Sequence, residues 1–122
     1  MPKVSSKTAE EVKDYGVALD RFSTLEGYTF NFVTIREDMD LAPMLAALPG
    51  GKCACPHWGV MLKGQMTVRY GDHEETFEAG DAFYMPPGHT PKANAGSEFI
   101  QISPAEELAA TEAALAKTMQ AR

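Results

Sequence analysis

Gly80-Asp81-Ala82-Phe83-Tyr84-Met85-Pro86-Pro87-Gly88 sets one short extended segment between two turns. Ala82 to Met85 carries the aromatic and apolar side chains that suit a strand. Glu78-Ala79-Gly80-Asp81 before it and Pro86-Pro87-Gly88 after it are made of residues that break strands and form turns. The same unit recurs on both sides. Upstream, Val60 to Leu62 and Gln65 to Tyr70 read as strands, with Gly64 as a bulge or bend between them. Gly71-Asp72-His73 is a hairpin turn and Glu74 to Phe77 its return strand. Downstream, Phe99 to Ile102 closes the sheet. Turn punctuation every 8–12 residues or so predicts an all-β sandwich or barrel.

The flanks add to this frame. Tyr28 to Arg36 is a strand in which Tyr28, Phe30 and Phe32 alternate with Thr29, Asn31, Val33 and Ile35. These aromatics, with Met61, Met66, Phe83, Tyr84 and Met85, are the expected core or pocket lining. Val17, Leu19 and Phe22 mark an earlier strand, and Thr8 to Lys13 allows a helical turn. Leu41 to Leu48 reads as one or two helical turns capped by Asp40 and stopped by Pro49-Gly50-Gly51. Near the end, Ser103 as N-cap, Pro104 at the first helical position and Glu106 in a capping box start a helix running to about Met119. The expected division is one domain over 1–122, with a barrel core over about 15–103 and the C-terminal helix over about 104–119.

Composition narrows the class. A chain of 122 residues with 44% hydrophobic and 23% charged residues reads as one soluble globular domain. Its net charge of −6 and scattered Lys and Arg argue against a nucleic-acid or anionic-membrane partner. The first residues lack the apolar core of a secretory signal, and no apolar window approaches the length of about 18 that spans a membrane. The expected location is the cytoplasm. Cysteines there are thiols or ligands more often than disulfides.

Both cysteines lie in Lys52-Cys53-Ala54-Cys55-Pro56-His57-Trp58. In an extended strand, side chains two apart share a face at a spacing of about 6.6 Å. Cys53, Cys55 and His57 would then offer thiolates and an imidazole to one metal ion, zinc or iron before magnesium or calcium. The competing reading is two thiols buried as small hydrophobes beside a hydrogen-bonded histidine. Trp58 would point the other way, out of the barrel, where an aromatic side chain suits a dimer interface.

With these residues in place, the chain resembles the cupins, small double-stranded β-helix (jelly-roll) domains. Gly80 to Gly88 matches the first half of the family's second motif, G-x5-P-x-G, at every fixed position. Gly64 matches the glycine that ends the first motif. The resemblance covers roughly residues 28–103. It implies a barrel around a metal or ligand pocket, and a homodimer by analogy of fold. The metal positions depart from the family's three-His, one-Glu set. His57 stands at the Glu position, Cys53 at the second His position, Gly51 at the first, Pro91 at the third and Ala95 at the Asn position. His89, two residues before Pro91, is the substitute this chain offers. The expected metal set is therefore Cys53, Cys55, His57 and His89, with Gln65 and Tyr84 as polar ligand contacts.

Three functional readings follow. One is a cupin that binds zinc or iron through Cys and His and acts on a small organic molecule. Another is a metal-free ligand-binding or sensing cupin. The third is a metal-free isomerase-type cupin with His57 as catalytic base.

Overall fold

The computed structural model describes residues 3–45 and 55–120. In chain order the elements are β1 (Glu11–Asp14), β2 (Ala18–Leu25), β3 (Tyr28–Ile35), β4 (Met39–Asp40), α1 (Ala42–Leu45), β5 (His57–Lys63), β6 (Gln65–Tyr70), β7 (His73–Glu78), β8 (Ala82–Met85), β9 (His89–Ala93), β10 (Glu98–Pro104) and α2 (Ala105–Gln120). The strands form a six-stranded sheet, β1-β2-β3-β10-β5-β8, and a four-stranded sheet, β4-β9-β6-β7. The protein is mostly β, two antiparallel sheets forming a sandwich with one long C-terminal helix, as its turn spacing predicts.

The glycines of the opening stretch hold the corners. Gly64 has φ of +75° and joins β5 to β6 across the two sheets. A Cβ there would collide with Ser97, whose Cα would lie 2.7 Å away, so any other residue is strained and forces Ser97 to shift. Gly88, with φ of +95°, ends the Pro86-Pro87-Gly88 turn that carries the chain from β8 in one sheet to β9 in the other.

Register decides which faces are buried. Met61, Met66, Val68, Phe77, Phe83, Met85 and Phe99 pack between the sheets. On β3 the expected orientation is reversed. Asn31 and Thr29 are buried, whereas Tyr28 is exposed and Phe30 and Phe32 are half-buried. Pairing explains this, because Phe30 stands opposite Ile102, which stands opposite Trp58, which stands opposite Tyr84. That row lies on the outer face of the sheet, since strand side chains alternate and Ser103 and His57 are buried. Tyr84 is accordingly on the outside and not part of the core.

Three further expectations change. Residues 11–14 form an edge strand on β2 instead of a helical turn; their side chains are all exposed and mostly charged, which suits an edge. Ser103 does not cap α2; it lies in β10, paired with Thr29, and is fully buried. Pro91 lies inside a strand, β9, flanked on both sides. Its carbonyl accepts a hydrogen bond from Leu41 N at 3.1 Å. The absent N–H therefore belongs on the side of the two-residue β4 and not in the β6 ladder, where proline would break pairing.

Beside the main core, Leu45, Cys55 and Leu108 form a second buried cluster, with Leu41 packed against it. It docks α1 and α2 over one side of the sandwich. No helix among the described residues is long and apolar enough to cross a membrane.

Candidate functional site

A cavity of about 500 Å³ lies between the sheets, under α1 and α2. Its walls are mainly apolar, with Val33, Ile35, Met66, Met85 and Phe99 among them. Such a volume and lining suit a small organic molecule. Two polar groupings interrupt the apolar wall.

The first is a histidine pair. His57 opens β5 in the large sheet, opposite Met85 of β8. His89 opens β9 in the small sheet, opposite Tyr70 of β6. The Pro86-Pro87-Gly88 turn links Met85 to His89, so the two histidines meet across the sandwich with ring centroids 4.9 Å apart. Each is held from behind. His57 Nδ1 and Ser103 Oγ are 2.6 Å apart, both residues buried. His89 Nδ1 lies 2.7 Å from the Pro86 carbonyl oxygen. A carbonyl only accepts, so His89 Nδ1 carries the proton and Nε2 carries the lone pair. That Nε2 is buried with no hydrogen-bond partner.

Burial sets the charge of both rings. Desolvation, helped by the neighbouring His89, pushes His57 down to about 3. Desolvation also lowers His89, against a raising contribution from the Pro86 carbonyl. Both imidazoles are therefore neutral at pH 7. A neutral ring is the form that ligates metal. The shift places His57 below the neutral range in which an unperturbed histidine titrates.

The second grouping is Asp20 on β2 and Asn31 on β3. Asn31 Nδ2 donates to both carboxylate oxygens of Asp20, each at 3.0 Å. Asn31 is buried, and its Oδ1 has no hydrogen-bond partner. Gln101 stands directly opposite Asn31 on β10 and also lines the cavity. Lys13 and Glu112 form an ion pair at 3.5 Å, with Tyr15 nearby on the same wall. Desolvation and the charge of Glu112 push Asp20 up to about 6, although the Asn31 hydrogen bonds oppose this. Desolvation, then Glu112 and Asp20, push Tyr15 up to about 12.

Of the residues expected at the site, the fold brings together His57 and His89. Cys55 is buried with Leu45 and Leu108, and its Sγ lies 3.5 Å from the Pro56 carbonyl oxygen. Cys55 lies two residues before His57, just ahead of β5. Cys53 lies outside the described residues. Among the described residues, no group of three His, Cys, Asp or Glu side chains could hold a metal ion. Gln65 and Tyr84 do not line the cavity. Gln65 Oε1 accepts a hydrogen bond from Asn94 Nδ2 at 3.2 Å in an exposed position. Tyr84 stacks on Trp58 on the outer face.

Sequence reasoning missed Ser103, Asp20, Asn31 and Gln101. Ser103 was hidden by a good capping pattern. For Asn31 a signal existed in strand alternation: it stands between Phe30 and Phe32, and reversing the assumed face of β3 puts it inside.

Solved structures share this architecture at low sequence identity. A protein of unknown function from Rhizobium leguminosarum matches with a TM-score of 0.62 and 18% identity, over 84% of this chain and 95% of that one. An RmlC-like cupin from Shewanella frigidimarina matches with a TM-score of 0.58 and 16% identity, over 83% and 88% of the two chains. The Fe(II) form of HppE matches with a TM-score of 0.58 and 8% identity, over 84% of this chain and 60% of that one. No family model and no curated protein matches the sequence. Two antiparallel sheets around a pocket, with cupins among the structural neighbours, define the class. The chain has the small cupin fold.

Proposed function

We propose that this protein binds a divalent metal ion, zinc or iron, through His57 and His89 and holds a small organic molecule in the adjoining cavity. The observation that carries this reading is the state of His89. Its Nδ1–H is anchored on the Pro86 carbonyl, and its Nε2 lone pair is buried with no partner. Metal-bound histidines are oriented in this way by their outer hydrogen bonds. His57 has a matching anchor in Ser103. Two imidazoles leave further coordination positions for water, for the organic molecule, or for Cys53. A zinc or iron ion with open positions supplies a Lewis acid or activates water. The protein's own share is to orient the two rings, keep them neutral and exclude bulk water with apolar walls. Fe(II) HppE, which shares the fold, holds iron by its description. Zinc titration of the ¹⁵N-labelled protein tests the reading. The Nε2 resonances of His57 and His89 should move and the His73 ring should not; unmoved His57 and His89 resonances would rule it out.

A second reading is a metal-free binding protein. It is favoured by the lack of a three-residue ligand group among the described residues. It keeps the cavity as the ligand site and predicts a melting temperature that chelator does not change.

The outer face of the six-stranded sheet is the surface we assign to a second copy of the chain. Trp58, Val60, Leu62 and Tyr84 are 43, 39, 49 and 48% exposed there. They adjoin the half-buried Phe30, Phe32, Ile100 and Ile102 in successive strand rows. A contiguous apolar surface of this kind marks an interaction site, and a two-fold pair covers it with itself.

A further inference from the structure

We infer that Asp20 and Asn31 form a second binding subsite in the cavity, one that takes a hydrogen-bond-donor group of the organic ligand, a protonated amine or a hydroxyl. This inference rests on the reading of the cavity as a ligand site, but not on the metal. Asn31 turns its amide nitrogen toward Asp20, with both carboxylate oxygens 3.0 Å from Nδ2. What remains toward a ligand is acceptor capacity: the free lone pairs of the Asp20 carboxylate and the buried, unpartnered Oδ1 of Asn31. A buried acceptor without a donor is costly, and a ligand donor relieves that cost.

The surroundings exclude the opposite chemistry. An acidic ligand group would need the Lys13 cation. Lys13 Nζ is already 3.5 Å from Glu112 Oε2 and 5.5 Å from the centre of the Phe22 ring. Glu112 adds a second carboxylate to the same wall. A carboxylate or phosphate placed against Asp20 would be repelled, while an ammonium would form a charge-assisted bond with it. The cavity thus selects a molecule with an apolar body and a donor at the Asp20 end. The lone pair of His89 marks the other polar grouping.

The test uses three probes on one carbon frame: cyclohexylamine, cyclohexanol and cyclohexanecarboxylate. Each is titrated into the chelator-treated full-length protein, with the side-chain carboxyl ¹³C resonance of Asp20 as the readout. The amine or the alcohol should bind at least about tenfold more tightly than the carboxylate and move the Asp20 signal, the scale expected for a hydrogen bond to a charged group. Tighter binding of the amine than of the alcohol assigns the subsite to ammonium, and the reverse assigns it to hydroxyl. Asp20→Asn should remove the amine's advantage over the carboxylate. Equal or tighter binding of the carboxylate, or no binding of either donor probe, overturns the inference without need of a variant. Zinc titration of the same samples reads the histidine pair separately. Probe discrimination without zinc binding sinks only the metal reading, and zinc binding without discrimination sinks only this subsite.

Discussion

His57 and His89 face each other across the two sheets with ring centroids 4.9 Å apart, although they come from strands in different sheets. Each ring is fixed from its Nδ1 side, His57 by Ser103 and His89 by the Pro86 carbonyl. This relationship makes the pair a candidate metal centre, and it has a cost that can be measured. Both rings are buried and neutral, so protonation opposes folding. The folded His57 value of about 3 lies below the usual 6.5. Its contribution to stability is therefore present above pH 6.5 and is lost as pH falls toward 3. Thermal melts of metal-free protein should show stability falling through that window, and His57→Gln should flatten the fall. An unchanged pH profile in His57→Gln would contradict the assignment.

Asp20 acts in the opposite direction. Its folded value of about 6 lies above the usual 3.8, so the folded state favours the protonated acid. The associated stability is full below pH 3.8 and is lost as pH rises through 6. Asp20→Asn removes the charge and keeps a group that can pair with Asn31. It should stabilise the metal-free protein at pH 7, by about 1–3 kcal/mol, and have little effect near pH 4. Chemical denaturation at the two pH values checks both the sign and the difference.

Ser103→Ala tests the anchor of His57. The variant leaves Nδ1 without its partner in a buried position and should cost about 1–2 kcal/mol of stability. If the ring ligates metal, zinc affinity should also fall by roughly 10- to 100-fold, the usual effect of losing an outer hydrogen bond. A stability loss with unchanged zinc affinity would leave Ser103 a purely structural residue.

Gly64→Ala should be among the most damaging single substitutions. It forces a positive φ of +75° on a residue with a Cβ and drives that Cβ into Ser97. A loss of about 2 kcal/mol or more in denaturant unfolding is expected. Gly80→Ala, at φ of +94° but with open space around the Cβ, should cost less.

The outer sheet face should control assembly. Wild-type protein should run at twice the 13.3 kDa chain mass in light scattering, and Val60→Lys should run as a monomer with its β signature intact. A wild-type monomer at high concentration would leave that face without the partner assigned to it.

The turns made the architecture legible. Gly64, Gly80 and Gly88 all adopt positive φ, so their places in the chain are dictated by backbone sterics and can be read without knowing what packs against them. The faces of the strands were less legible. In β3 the larger and more apolar set, Tyr28, Phe30 and Phe32, faces outward, and Asn31 faces inward, where Asp20 accepts its hydrogen bonds. Alternation gives two faces but does not say which is buried when a surface is itself apolar. His57 was legible from its strand position. Cys55 precedes that strand and packs with Leu45 of α1 and Leu108 of α2. Ser103 shows a local pattern overridden by tertiary structure: its capping sequence is sound, yet the buried His57 ring claims its hydroxyl.

The central claim is that His57 and His89 hold a metal ion, and metal content tests it most directly. The full-length protein should be purified without chelator, alongside the His57→Ala and His89→Ala variants, and zinc and iron measured per chain by elemental analysis. The account predicts close to one ion per chain in the wild type and little in either variant. Metal retained in both variants, or none in a folded wild type supplied with zinc and iron, would contradict it.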